Sequence, residues 1–256
     1  MSSPKRIPMI AGNWKMNLVS GEAAELAAAL KKNLSPELKH EVLLAPSFTN
    51  LHCVHEAIKG SPILLASQDM AWEEKGAFTG AVSPAQIKDA GCTHAILGHS
   101  ERRHIFLETD TVINKKMKTA IKDGIIPILC IGEMLEDRES GKTNNVLASQ
   151  LDGDFEGISA EEASKVIIAY EPVWAIGTGK TATPDVAEST HVFIRSHMEK
   201  KYGKAFADAV RILYGGSVKA SNVDELMAQP DIDGALVGGE SLKADKFTRV
   251  IHFQKI

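Results

Sequence analysis

With 256 residues, 44% of them apolar and 24% charged, the chain has material for one large soluble domain or two small ones. Its 29 basic and 33 acidic residues leave a formal charge of only −4, which excludes the broad electrostatic footprint of a nucleic-acid or anionic-membrane binder. No apolar run approaches the roughly 20 residues of a membrane span. The opening Met1-Ser2-Ser3-Pro4-Lys5-Arg6 lacks the apolar segment of a secretory signal. Three cysteines, Cys53, Cys92 and Cys130, without CxxC spacing read as reduced thiols in a cytoplasmic protein.

Short apolar runs alternate with helical patterns along the whole chain. Strands are expected at 7–12, 42–45, 63–66, 95–97, 125–131, 166–169, 210–214 and 235–237. Helices are expected over 22–34, 51–59, 84–90, 111–122, 144–155, 185–202, 222–228 and 245–253, with Gly124 and Gly203 as stops. A long connection, 67–83, follows the third strand. Continuous apolar strands fit a parallel sheet covered on both faces. Eight units in about 250 residues favour a closed (β/α)8 barrel over a doubly wound open sheet. No linker or low-complexity tract divides the chain, so one domain, 1–256, is expected. His52-Cys53-x-His55 lies on an expected helix without a fourth ligand, which argues against zinc.

In such a barrel, chemistry sits at the C-terminal ends of the strands. Five of those ends carry polar residues or glycine: Asn13 and Lys15, Gly98-His99-Ser100-Glu101, Glu171, Gly215-Gly216-Ser217, and Gly238-Gly239. Glu171 ends an apolar strand, and Pro172 stops that strand from continuing. Trp174 and Ile176 then precede the flexible Gly177-Thr178-Gly179, and Thr183-Pro184-Asp185 opens a helix. A general base beneath a hinged lid fits this arrangement, as does a surface Glu in an ordinary connection. Lys15 reads as an electrostatic cation, a Schiff-base lysine or a solvated side chain; neighbouring Asn13 favours the first. His99, at the start of a short helix where the dipole disfavours imidazolium, reads as a neutral hydrogen-bond donor or a structural rim histidine. Glycine pairs on the adjacent strands seven and eight let main-chain N–H groups approach a phosphate.

These motifs resemble the triosephosphate isomerase family. The resemblance rests on Gly12-Asn13-Trp14-Lys15, on residues 96–103, on Ala169-Tyr170-Glu171-Pro172-Val173-Trp174-Ala175-Ile176-Gly177-Thr178-Gly179-Lys180, and on the stretches 214–218 and 236–239, in order along the chain. It implies a TIM barrel that interconverts dihydroxyacetone phosphate and D-glyceraldehyde 3-phosphate without cofactor or metal. Glu171 would be the base and His99 the neutral electrophile, with Lys15 and Asn13 stabilising charge and Glu101 in support. Gly177, Ser217, Gly238 and Gly239 would bind the phosphate. The lid would run from Pro172 and Val173 through Lys180 to Thr181 and Ala182. Tyr170, Glu133, Tyr214 and Leu236 would support it: Tyr214 and Ser217 would hold it at Ala182 and Gly179, and Glu133, Tyr170 and Trp174 would exchange hydrogen bonds at the hinge. Ile176 and Leu236 would flank Glu171.

The resemblance further implies a homodimer docked through the loop around Thr79, close to the partner's site. Ala81 and Asp69 stand where the family commonly has glutamate and asparagine, so the usual charge pair with Arg102 is lost. Glu240, where alanine is usual, is expected to point outward. Beside the isomerase stand an aldolase acting through Lys15 and a silent phosphate-binding scaffold.

Overall fold

The computed structural model describes residues 6–176 and 181–254. Eight parallel strands close on themselves in chain order, β1-β2-β3-β4-β5-β6-β7-β8, and β1 pairs with β8 through Met9 and Gly234. In sequence order the elements are β1 (Met9–Asn13), α1 (Ser20–Asn33), β2 (Glu41–Ala45), α2 (Leu51–Ile58), β3 (Leu64–Ser67), α3 (Pro84–Asp89), β4 (His94–Leu97), α4 (Ser100–His104), α5 (Asp110–Lys122) and β5 (Ile126–Ile131). There follow α6 (Leu135–Glu139), α7 (Thr143–Asp154), α8 (Ala160–Ala163), β6 (Ile167–Tyr170), α9 (Pro184–Tyr202), α10 (Lys204–Ala209), β7 (Ile212–Tyr214), α11 (Val223–Met227), β8 (Gly234–Val237) and α12 (Ala244–Ile251).

The expected strands are all present, with ends shifted by one or two residues. Strand β1 reaches Asn13, and β6 runs on through Tyr170. The short helix expected at His99 is α4, whereas α6, α8 and α10 lay below the resolution of the periodicity. These three span four to six residues, too short to show an apolar stripe. Where caps were read, they act. Thr183 Oγ1 accepts from the Val186 N–H at 3.3 Å with Pro184 in the first turn, and Gly203 ends α9 at φ +87°.

Alternation along each strand creates two apolar layers. Met9, Ala11, Leu43, Ala45, Ala66, Ile96, Ile128, Cys130, Ile167, Ala169, Leu213 and Leu236 fill the barrel interior. The intervening residues, among them Ile10, Leu44, Leu97, Ile168 and Tyr170, pack outward against the helices. The same period of two places Glu171 inward, one step beyond Ala169. That is why this carboxylate enters the mouth of the barrel and not the helical layer.

Candidate active site

At the C-terminal mouth a cavity of about 330 Å³ is lined by ten of the expected site residues: Asn13, Lys15, His99, Glu171, Ala175, Ile176, Ser217, Leu236, Gly238 and Gly239. Asn13, His99 and Glu171 are each 5% exposed or less. Glu101 meets the site only through its neighbours. Tyr170, Glu133, Tyr214, Pro172, Val173 and Trp174 stand behind the wall. Ala182 is buried and Thr181 exposed, whereas Gly177, Thr178, Gly179 and Lys180 lie outside the described residues.

Glu171 is held from two sides. His99 Nε2 lies 2.8 Å from Oε1, and the Ser100 N–H donates to Oε2 at 3.0 Å. Burial alone would push the carboxyl up, but the charge and hydrogen bond of His99, then Ser100 and Lys15, hold it below the ordinary carboxylate value. His99 shows the complementary balance. Burial disfavours imidazolium, yet Glu171 outweighs it and moves the ring up. The helix-dipole reading pointed the other way, because it left out the carboxylate that faces the ring. His99 Nδ1 accepts from the Glu101 N–H at 3.2 Å, so the proton of the neutral ring sits on Nε2, aimed at Glu171.

Lys15 has a strained backbone, φ +52°, which few side chains adopt. Its N–H donates to Asn13 Oδ1 at 3.1 Å, and its carbonyl accepts from Gln68 Nε2 at 2.8 Å. Gln68 also donates to the Ala45 carbonyl at 2.8 Å, tying β1, β2 and β3 together at this point. The Lys15 ammonium then rests 2.6 Å from Glu101 Oε1. The side-chain patterns alone did not pick out Gln68, although it is the first residue after β3 and so stands at a strand tip.

Gly132 was missed as well. A Cβ there would stand 1.8 Å from the Glu171 carbonyl oxygen. At Gly215 it would meet Glu171 Cγ at 2.8 Å, and at Gly216 the Tyr214 hydroxyl at 2.2 Å. The glycine pair after β7 therefore makes room for the carboxylate and the hinge, and the Gly215 N–H is already donated to the Tyr170 carbonyl at 2.7 Å. Around Gly239, in contrast, a Cβ would meet nothing within 4 Å, and at Gly238 only Lys15 Cε at 3.7 Å. The open main chain is at the end of β8.

Glu133, fully buried, ties the segment after β6 to the barrel. Its Oε1 accepts from Tyr170 Oη at 3.1 Å and from Trp174 Nε1 at 2.8 Å, and its carbonyl accepts from the Val173 N–H at 3.2 Å. Trp174, read as part of an apolar cover, turns back onto this carboxylate and lies under Arg138, whose guanidinium is 5.7 Å from the ring centre. Ala175 and Ile176 face the cavity instead. The Tyr214 hydroxyl has no hydrogen bond of ordinary geometry among the described residues. The Ala182 main chain still lies close enough to act on it, against a larger upward push from burial to about 12.

Arg102, whose expected partner is absent at Ala81, is paired by other carboxylates of the chain. Arg102 Nη2 meets Asp69 at 3.0 Å and Glu108 at 2.6 Å, and the buried Lys116 bridges the same two carboxylates at 2.6 Å each. Asp69 thus supplies Arg102 with a carboxylate from the segment after β3. Glu240 lines the cavity and pairs with Lys246. Among the described residues no group of three or more His, Cys, Asp or Glu is arranged to hold a metal ion, and no helix is long and apolar enough to cross a membrane.

The sequence has close relatives of one name. A protein named triosephosphate isomerase from Roseiflexus sp. (strain RS-1) is 50% identical over 251 residues, covering 98% of this chain and 99% of its own. Proteins of the same name from Citrifermentans bemidjiense and Alkaliphilus oremlandii are each 52% identical, covering 98% and 97% of this chain and all of their own. The family model described as triosephosphate isomerase matches residues 8–254, from the residue before the first barrel strand to the last described residue. Closed barrel, strand-tip carboxylate and near full-length similarity lead to one assignment: the chain belongs to the triosephosphate isomerase family.

Proposed function

We propose that the chain, as one barrel domain, interconverts dihydroxyacetone phosphate and D-glyceraldehyde 3-phosphate through an enediol(ate), the isomerisation of triose phosphates in glycolysis and gluconeogenesis. Glu171 removes the proton from one carbon and returns it to the neighbouring carbon. His99 donates from Nε2 to the carbonyl oxygen as charge develops there and passes a proton between the two oxygens. Lys15 and Asn13 add positive potential to that oxygen from the same side, where a low-dielectric wall increases its effect. No electrons leave the substrate, so the balance closes with one proton moved between carbons and one between oxygens.

Binding of substrate has a direct consequence for the pair. A substrate oxygen that takes Nε2 as its donor releases Glu171 from its imidazole partner, and the carboxylate regains basicity when it is needed. The phosphate is received by Ser217 and by the open main chain at Gly238 and Gly239. Gly177 and the rest of the lid complete the enclosure, with Ile176 and Leu236 beside Glu171. Exclusion of water protects the enediolate from losing its phosphate.

The observation that carries the reading is the shared cavity: a buried carboxylate, an imidazole 2.8 Å away, an ammonium and exposed glycine main chain in one mouth. A coupled assay with D-glyceraldehyde 3-phosphate tests it. Turnover is expected, with no adduct at Lys15 after borohydride treatment; absence of turnover, or a trapped Lys15 adduct, would overturn the isomerase.

A homodimer belongs to the same proposal. Residues 73–80 form a loop exposed at every position and carrying Thr79, with Phe78 42% exposed, and Met16 beside the cavity is 95% exposed. Ile105, Phe106 and Leu107 add apolar surface after α4. A mass in solution of twice that of the chain is expected, and a monomer at micromolar concentration would contradict it. Free thiols at Cys53, Cys92 and Cys130 fit a cytoplasmic enzyme.

A further inference from the structure

The wall that would receive a phosphate contains one residue of the wrong sign. Glu240 directly follows Gly238 and Gly239 and lines the cavity together with Lys15 and Lys219. It sits in a single 3-10 turn, Gly239–Leu242, that is well fixed. The Ser241 N–H donates to the Gly238 carbonyl at 2.8 Å, and Ser241 Oγ donates to the same oxygen at 2.6 Å. The Glu240 side chain is only 21% exposed, so it has not simply turned away into water. An unbalanced carboxylate here, beside low-dielectric walls, would repel a phosphate dianion.

The counter-charge comes from α12. Lys246 Nζ lies 3.1 Å from Glu240 Oε1. The next residue, Phe247, is fully buried and packs onto Gly12 of β1, where a Cβ would stand 3.0 Å from its ring. The helix that carries Lys246 is therefore seated on the strand that leads to Asn13 and Lys15. The backbone of Lys246 is thus anchored next to a core residue, while its side chain, 42% exposed, reaches Glu240.

We propose that Lys246 is an affinity-determining residue: by pairing with Glu240 it removes a repulsive charge from the phosphate end of the cavity, and it does so without contact to the reacting carbons. The choice of a triose phosphate as ligand rests on the isomerase reading; the pairing itself requires only an anionic phosphate.

The test compares the wild type, Lys246→Met, Glu240→Gln and the double variant at low ionic strength. Two quantities are read: KM for D-glyceraldehyde 3-phosphate, and the dissociation constant of inorganic phosphate by calorimetry. Lys246→Met is expected to raise both by about three- to tenfold, as one uncovered unit charge would, with kcat within about a factor of two. Glu240→Gln should restore both in the double variant, and the differences should shrink as salt rises toward ~0.15 M. Unchanged affinity in Lys246→Met would overturn the proposal. So would a double variant as weak as Lys246→Met alone, because Lys246 would then act without Glu240. A wild type that fails to isomerise would end the substrate reading, and the phosphate titrations would still decide the pair.

Discussion

At Gly215 a single methyl group would stand 2.8 Å from Glu171 Cγ and 3.2 Å from the Tyr170 carbonyl. The side chain of Glu171 would have to give way, and its carboxylate would leave the position set by His99 and Ser100. Gly215→Ala should lower kcat by about 10- to 100-fold, the scale of a displacement of roughly 1 Å, while the barrel remains folded. Steady-state kinetics alongside circular dichroism would check this; an unchanged kcat would show that the base has slack. A second expectation concerns pH. His99, Ser100 and Lys15 together outweigh burial and hold the Glu171 carboxyl low, so the free enzyme keeps its base ionised through the ordinary carboxylate range. The acid limb of kcat/KM, once the phosphate ionisation near 6 is allowed for, should lie below the usual 4.5. Ser100→Pro, which deletes one donor, should move that limb upward. Glu171, His99, Lys15 and Asn13 were legible because polar residues at the ends of apolar strands are conspicuous. The contributions of Gly132 and of the Ser100 N–H were not, because one acts by lacking a side chain and the other acts through its main chain.

Strand β6 and the segment after it were readable as an element. The β-branched run, Pro172 and the Thr183 cap each have a local cause, and local causes are written in local sequence. The hinge was not readable in the same way. Glu133 meets Tyr170 and Trp174 across 37 and 41 residues, and only the barrel closure brings them together. The same limit applies to Asp69, whose partners Arg102 and Lys116 come from other strand–helix units. The lid role yields its own prediction. Deleting residues 177–179 should leave the base and imidazole in place but expose the enediolate to water. Inorganic phosphate and methylglyoxal should then appear as a substantial share of product, by phosphate release in a coupled assay. Clean isomerisation by the shortened chain would remove the protective role.

For the molecule as a whole, two histidines that take no part in the proposed chemistry set a pH limit on folding. Burial pushes His94 down to about 4, helped by Arg211, and its Nε2 has no hydrogen-bond partner. Burial likewise pushes His191 to about 4, opposed by the Asp231 carbonyl, which lies 3.1 Å from Nδ1. Both are neutral in the fold at pH 5 and protonated in the unfolded chain. The unfolded state binds more protons there, so stability falls as pH drops from about 6.5 toward 4, by on the order of 3 kcal/mol per histidine at most. Urea unfolding of the wild type and of His94→Gln at pH 7 and pH 5, at fixed protein concentration, isolates this contribution, because the Asp154 carboxyl, pushed by burial up to about 7, acts in the opposite direction in both proteins. His94→Gln is expected to lose less stability, or gain more, than the wild type on going to pH 5; the same change in both would mean that the His94 ring is hydrated in solution. Closure of the barrel was legible from eight strand–helix units. The buried charges of Asp69, Glu108 and Lys116 were not, since only packing shows which charges leave water.

The central claim is that one carboxylate, carried inward by the alternation of β6, moves a proton between adjacent carbons of a bound triose phosphate. Its most direct test is kcat of Glu171→Asp in the coupled assay, since that change withdraws the base by one methylene and leaves the phosphate site intact. A fall of about 100-fold or more with KM little changed is predicted; a kcat within about a factor of two of the wild type would contradict the account.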